Sequence, residues 1–253
     1  MQIKSKKIKN ALKHILGPAL IQIWHIRWKI YLFRLKISNL GKDSKKIFSD
    51  YWAKNHWNNK ETKSGDGSTL LYTEHIRKEI PILLNHLHAS SILDAPCGDF
   101  NWFKEIKFQT PINYIGADIV DGLIFDLNQK FGNDTRKFIS LDVIKDSLPD
   151  ADIWMCRDLI FHLPNADVFN LIDNFTKSNI KYLLITSHAT ENIKNKNTFM
   201  GGFRLINLLS PPFSLPEPDA RIKDYIKGSH ERYLLLYKRE ALRAWKIGLQ
   251  KDI

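Results

Sequence analysis

Ser91-Ile-Leu-Asp-Ala-Pro-Cys-Gly-Asp99 is a short apolar run that ends in a carboxylate and a tight turn. The same pattern returns in Tyr114-Ile-Gly-Ala-Asp118 and again in Phe138-Ile-Ser-Leu-Asp142. Strands of a parallel sheet are buried on both faces, so they read as continuous apolar runs. Open α/β sheets bind ligands just outside the carboxyl ends of those strands. The three segments therefore predict one edge of a doubly wound sheet carrying Asp94, Asp118 and Asp142. Three acids at one edge suit a ligand rich in hydroxyls and amines, not one rich in phosphates.

Outward from this edge, apolar runs and helical periods alternate. Strands are predicted at Ile92–Ala95, Tyr114–Asp118, Phe138–Leu141, Asp152–Arg157, Tyr182–Ser187 and Arg232–Tyr237. Helices are predicted over 43–62, Leu70–His86 (capped by Ser68 or Thr69), Phe100–Ile106, Gly122–Phe131 and Ala166–Thr176. Asp99, as first residue of the third of these, is expected to cap it. Ser210–Pro218 reads as a Pro-rich surface loop. Such alternation calls for a parallel sheet with helices on both faces. No internal repeat and no second domain are evident.

The 253 residues suffice for one sizeable core, and 43% hydrophobic with 26% charged residues excludes a disordered chain. The net charge of +11 is unevenly spread. Residues 1–42 hold eight Lys, two Arg and no Asp or Glu, so they carry +10 of it and the body is nearly neutral. Ile3, Ile8, Leu12 and Ile15–Leu16 fall along one helical face; after Gly17-Pro18, Ile21, Trp24, Trp28, Tyr31 and Leu32 interleave with cations. Those recurring cations argue against a spanning helix, and no cleavage site follows. Three uses remain open for this arm: an anionic membrane surface, packing on its own domain or a partner, and nucleic acid. Nucleic acid is disfavoured because the body has no second basic stripe. Cys97 and Cys156 alone make neither a metal cluster nor a disulfide scaffold; buried thiols in a reducing compartment are expected.

The first turn has one glycine, Gly98, between two carboxylates, where a dinucleotide site would carry G-x-G-x-x-G. Negative charge there disfavours a pyrophosphate. Asp118, about 20 residues on, can accept from both hydroxyls of a ribose, and Asp142 lies where an adenine amine would be.

Together the three segments resemble the first three motifs of class I S-adenosylmethionine-dependent methyltransferases. Ser64-Gly-Asp-Gly-Ser-Thr-Leu-Leu-Tyr-Thr73, Cys156-Arg-Asp-Leu-Ile-Phe-His-Leu163 and Gly201-Gly-Phe-Arg204 further resemble a bacterial branch associated with surface-polysaccharide biosynthesis. The resemblance covers roughly 51–242. It implies a Rossmann-like seven-stranded doubly wound sheet over 43–253, with a helical lid at about 43–88; the helical arm at 1–42 lies outside the resemblance. It also implies S-adenosyl-L-methionine as cofactor. Asp94 and Gly98 would hold its methionine portion, Asp118 the ribose, and Asp142 with Val143 the adenine, with Cys97 and Ile119 also at the cofactor. Tyr72 and Arg77 would close over the amino-acid end, Arg77 on its carboxylate; Arg157 would stand at the cofactor, bind an acidic group of the acceptor or form an internal salt bridge. The family's second and third glycines are missing; Pro96 and Cys97 stand in that space.

Methyl transfer needs alignment, and a base when the acceptor is a hydroxyl. Candidate bases are His162, Asp158 and His188, all expected beyond the fourth and fifth strands. If a helix begins at Asp158, its carboxylate and His162 share a face at i, i+4. Gly201, Gly202 and Arg204 are expected to line the acceptor side. No metal-ligand spacing is seen. The resemblance points to O-methylation of a saccharide hydroxyl on a surface or lipid-linked glycan. The expected enzyme is a monomer or weak dimer, cytoplasmic and peripheral to the inner face of the cytoplasmic membrane. An RNA or protein methyltransferase, and a non-catalytic cofactor-binding scaffold, are the competing readings. Against adenine amines as acceptors, Arg157-Asp-Leu-Ile-Phe161 stands where such enzymes often carry Asn/Asp-Pro-Pro-Tyr/Phe.

Overall fold

A computed structural model of the chain describes residues 22–23, 26–189 and 194–251. It divides into two compact units, Met1–Gly41 and Lys42–Ile253.

In the larger unit, β1 (Ser91–Asp94), β2 (Asn113–Asp118), β3 (Arg136–Ser140), β4 (Ile153–Cys156) and β5 (Tyr182–His188) run parallel. β6 (Ala220–Lys223) and β7 (Arg232–Lys238) run antiparallel at the far side. The strand order β3-β2-β1-β4-β5-β7-β6 gives a seven-stranded Rossmann-like sheet. The order reverses between β1 and β4, which opens a crevice at their carboxyl ends.

Every strand but β6 feeds two cores because successive side chains face opposite ways. In β4, Trp154 and Cys156 enter one core while Ile153 and Met155 enter the other. Helices α1 (Ser44–Ala53), α2 (Glu74–His86), α3 (Asp121–Phe131), α4 (Asn165–Lys177) and α5 (Arg239–Lys251) flank the sheet. Ile76, Ile80 and Leu84 of α2 and Leu123 and Leu127 of α3 cover one face. Leu171 and Phe175 of α4 and Leu242 of α5 cover the other. Cys97 and Cys156 are free and buried.

Several expectations are corrected. The stretch 43–62 is helical only over Ser44–Ala53, started by Asp43, whose side chain accepts from the Lys46 amide at 2.7 Å. Neither Ser68 nor Thr69 caps α2, which begins after Thr73; Ser68 closes a 3-10 turn at Asp66–Ser68. Phe100–Ile106 is not an α-helix. Phe100 takes φ +58° and buries its ring among Phe103, Tyr114, Phe131 and Phe138, leaving one 3-10 turn at Phe103–Glu105. Asp142 lies beyond β3 rather than at its end. β6 and α5 had no counterpart among the predicted elements.

In the smaller unit, residues 26–39 are helical. Their exposed apolar side chains are Ile26, Ile30, Tyr31, Phe33 and Ile37, whereas Trp28 and Leu32 are half-buried. The expected helix from Ile3 to Leu16, with Ile21 and Trp24, falls outside the described residues.

Candidate active site

The crevice outside β1, β2 and β4 holds a cavity lined by Asp94, Gly98, Asp118, Asp142, Asp158 and His162, among others. β1 ends on Asp94, which is 2% exposed and accepts from the Tyr114 hydroxyl at 2.8 Å. Burial pushes Asp94 up to about 7, against the pull of that hydroxyl and of Arg157. β2 ends on Asp118, which accepts from the amides of Gly98 at 3.3 Å and Val120 at 3.2 Å. Burial lifts it to about 6. Two carboxylates are thus held in one cavity at a desolvation cost that a cationic, hydroxyl-bearing ligand would relieve.

Gly98 takes φ +52°, and a Cβ there would run into the Ser64 side chain. The first turn and the 64–68 segment therefore pack backbone against side chain. Asp99 does not cap a helix. Its carboxylate accepts from the Thr62 hydroxyl (2.7 Å), the Lys63 amide (2.9 Å) and the Ser64 hydroxyl (3.0 Å), fastening that segment over the cavity. Cys97, Ile119 and Val143 also line the cavity. Burial pushes the Cys97 thiol well up, so it lines the site as a neutral group. Asp142 accepts from the Ile144 amide at 3.1 Å and from the Ser44 hydroxyl of α1 at 3.3 Å.

After β4, Asp158 sits at φ +59°, a left-handed conformation, and no α-helix starts there. The i, i+4 geometry with His162 therefore does not arise. Burial works to raise the Asp158 pKa, but Arg157 and Arg232 outweigh it and hold the group below the usual range. The ion pair to Arg232 measures 2.9 Å. A carboxylate so held is a poor proton acceptor. Arg157 lines the cavity, but its guanidinium is engaged by Asp224 (3.0 and 2.9 Å) and by the Gly67 carbonyl (2.6 Å).

His162 has the geometry of a base. Its Nδ1 lies 2.6 Å from the Gly202 carbonyl oxygen, an acceptor only, so the ring proton belongs on Nδ1 and Nε2 keeps its lone pair. Burial lowers its pKa, which keeps the ring neutral at pH 7. Gly201 and Gly202 thus hold His162 instead of lining the cavity: the Gly201 amide donates to the His162 carbonyl at 2.8 Å. Their neighbours Met200 and Phe203 do line it.

The remaining candidates lie outside the cavity lining. His188, pushed down to about 4 by burial, accepts at Nδ1 from the Ile206 amide at 3.3 Å. Arg204 donates to the Lys196 and Leu163 carbonyls, both at 2.8 Å. Tyr72 donates to Ser229 at 3.3 Å under the Arg232 guanidinium, and Arg77 donates to the Leu70 carbonyl at 2.9 Å. Sequence reasoning missed Trp57, Trp102, Phe203 and Arg232, all of which line the cavity. Trp57 lies 6.1 Å from the His162 ring, and Phe203 also lies at 6.1 Å. No acidic or Cys/His cluster suited to a metal occurs among the described residues.

No protein-family model and no curated protein matches the chain. Solved structures do. The magnesium protoporphyrin IX methyltransferase of Synechocystis PCC 6803, with bound SAM, matches with TM-score 0.54 at 15% identity, over 79% of this chain and 99% of its own. The chain has the class I methyltransferase fold. The 1,6-didemethyltoxoflavin-N1-methyltransferase of Burkholderia thailandensis, with 1,6-didemethyltoxoflavin and S-adenosylhomocysteine bound, gives 0.52 at 14% identity, over 77% of this chain and 86% of its own. At these identities the likeness is one of fold.

Proposed function

We propose that the protein is an S-adenosylmethionine-dependent methyltransferase that O-methylates a saccharide hydroxyl on a surface or lipid-linked glycan. The observation that carries the cofactor is the buried pair Asp94 and Asp118, both lifted by desolvation and both lining the cavity. Asp94 would hold the ammonium of S-adenosylmethionine and Asp118 its ribose diol, which would relieve that cost. Gly98 leaves room for the backbone to approach, while Asp142 and Val143 stand where the adenine would lie. Bound there, the cofactor supplies a methyl group already activated for displacement.

The protein's remaining work is to align an acceptor and remove its proton. His162 Nε2 would take the proton of an acceptor hydroxyl, the Gly202 carbonyl would stabilise the resulting imidazolium through Nδ1, and loss of the methyl group would leave S-adenosylhomocysteine to depart. A saccharide is favoured by the Trp57 and Phe203 rings beside His162. Their apolar faces suit the C–H face of a pyranose and leave its hydroxyls to the base.

The test is incubation with methyl-labelled cofactor and a cell-envelope glycan fraction. Label should enter saccharide, and His162→Gln should cut the rate about 10²–10⁴-fold with cofactor affinity unchanged. Label appearing in RNA or protein instead would reject the saccharide assignment while keeping the cofactor.

A further inference from the structure

We infer that the helix at residues 26–39 carries a docking face for a bilayer rich in anionic lipid. Ile26, Ile30, Phe33 and Ile37 recur at spacings of four, three and four, so they form one narrow stripe along the helix. Every one is open to solvent: Ile26 is 57%, Ile30 48%, Phe33 63% and Ile37 52% exposed. Ile23 and Leu40 continue the same spacing at either end, 52% and 68% exposed. The half-buried residues Trp28, Leu32 and Leu35 fall on the opposite side. Four large apolar side chains in line on a solvated face mark an interaction surface rather than scattered exposure.

The charges choose the occupant. Arg27 and Arg34 run along one margin of the stripe, Lys29 and Lys36 along the other, and no acid occurs anywhere in residues 1–42. A 3,4 repeat of this kind could also form a coiled coil with a second copy. In that pairing the margins meet each other, and parallel or antiparallel they bring cation against cation. A second copy is therefore the wrong partner. An anionic bilayer accepts both features at once, with the apolar stripe in the acyl boundary and the cations reaching outward to the headgroups. No described helix is long and apolar enough to cross a membrane, so the seat is at the surface.

The inference stands apart from the methyltransferase reading, and so does its test. The full chain is sedimented with vesicles of phosphatidylcholine alone and of phosphatidylcholine with phosphatidylglycerol, its fold being followed by thermal melting. It should pellet with the anionic vesicles only, and the bound fraction should fall with salt. Ile30→Asp with Phe33→Asp should abolish pelleting while the melting transition persists. Neutralising Arg27, Lys29, Arg34 or Lys36 to Gln should weaken binding roughly fivefold per cation. Equal binding to neutral vesicles, or none to either, would overturn the inference. So would self-association that the Ile30 and Phe33 substitutions remove.

Discussion

Asp94 and Asp118 carry opposite consequences for binding and for stability. Their folded pKa values, about 7 and about 6, lie above the 3.8 of a free carboxyl. A cationic ligand binds the ionised forms, so cofactor affinity should rise as pH climbs from 5 to 8. Near pH 6.5 binding should also release protons, readable as a dependence of binding heat on buffer. For folding the sign is reversed. The stability due to a raised carboxyl is fully present below about 3.8 and is lost as pH rises through its folded value. His162 and His188, with lowered values, run the other way, so the Asp94 effect must be read as a difference. Asp94→Asn should be more stable than wild type at pH 8, gain less at pH 5, and bind cofactor less tightly at both. Thermal melts and titrations at the two pH values check this; equal stability at pH 8 would contradict it. Both acids were legible in the sequence because each ends an apolar run. The choice among bases was not, since the tautomer of His162 depends on a carbonyl 40 positions away.

At the level of elements, the turn at 64–69 is held over the cavity by a buried network. Asp224, buried at the end of β6, pairs with Arg157 at 2.9 Å and with Arg232 of β7 at 3.2 Å, and Arg232 pairs onward with Asp158. Asp224→Asn would leave two buried guanidiniums short of one counter-charge and should destabilise the fold by about 3–5 kcal/mol, read by denaturant unfolding. At Gly67 a Cβ would meet the Asp158 carboxylate at 2.6 Å and Arg232 at 3.0 Å. Gly67→Ala should therefore lift the turn and weaken cofactor binding with a smaller loss of stability. Unchanged affinity in that variant would mean the turn does not close the site. Sequence showed the turn by its glycines. It could not show the network, because Arg157 and Asp224 are 67 positions apart and an Asp near a short edge strand reads as surface. β6 itself, Ala-Arg-Ile-Lys, has too little apolar content to stand out from a loop.

Over the whole molecule, the order β3-β2-β1-β4-β5-β7-β6 places the carboxyl ends of the central strands beside one crevice. Ligand binding there should stabilise the entire larger unit. S-adenosylmethionine at a hundred times its dissociation constant would add about 2.7 kcal/mol, a rise in Tm of roughly 5–10 °C for a chain of this size. The parallel half of this sheet was readable since strands buried on both faces leave continuous apolar runs. The antiparallel side was only half legible: β7 is apolar, whereas β6 and the amphipathic α5 alternate with charge.

The decisive measurement is calorimetric titration of the wild-type protein and of Asp118→Ala with S-adenosylmethionine at pH 7.5. Wild type should bind one equivalent, and loss of the hydrogen bonds to the ribose should weaken the variant by about a hundredfold or more. No heat from folded wild-type protein would contradict the methyltransferase assignment, and equal binding by both proteins would put the ligand elsewhere than the β1–β2 edge.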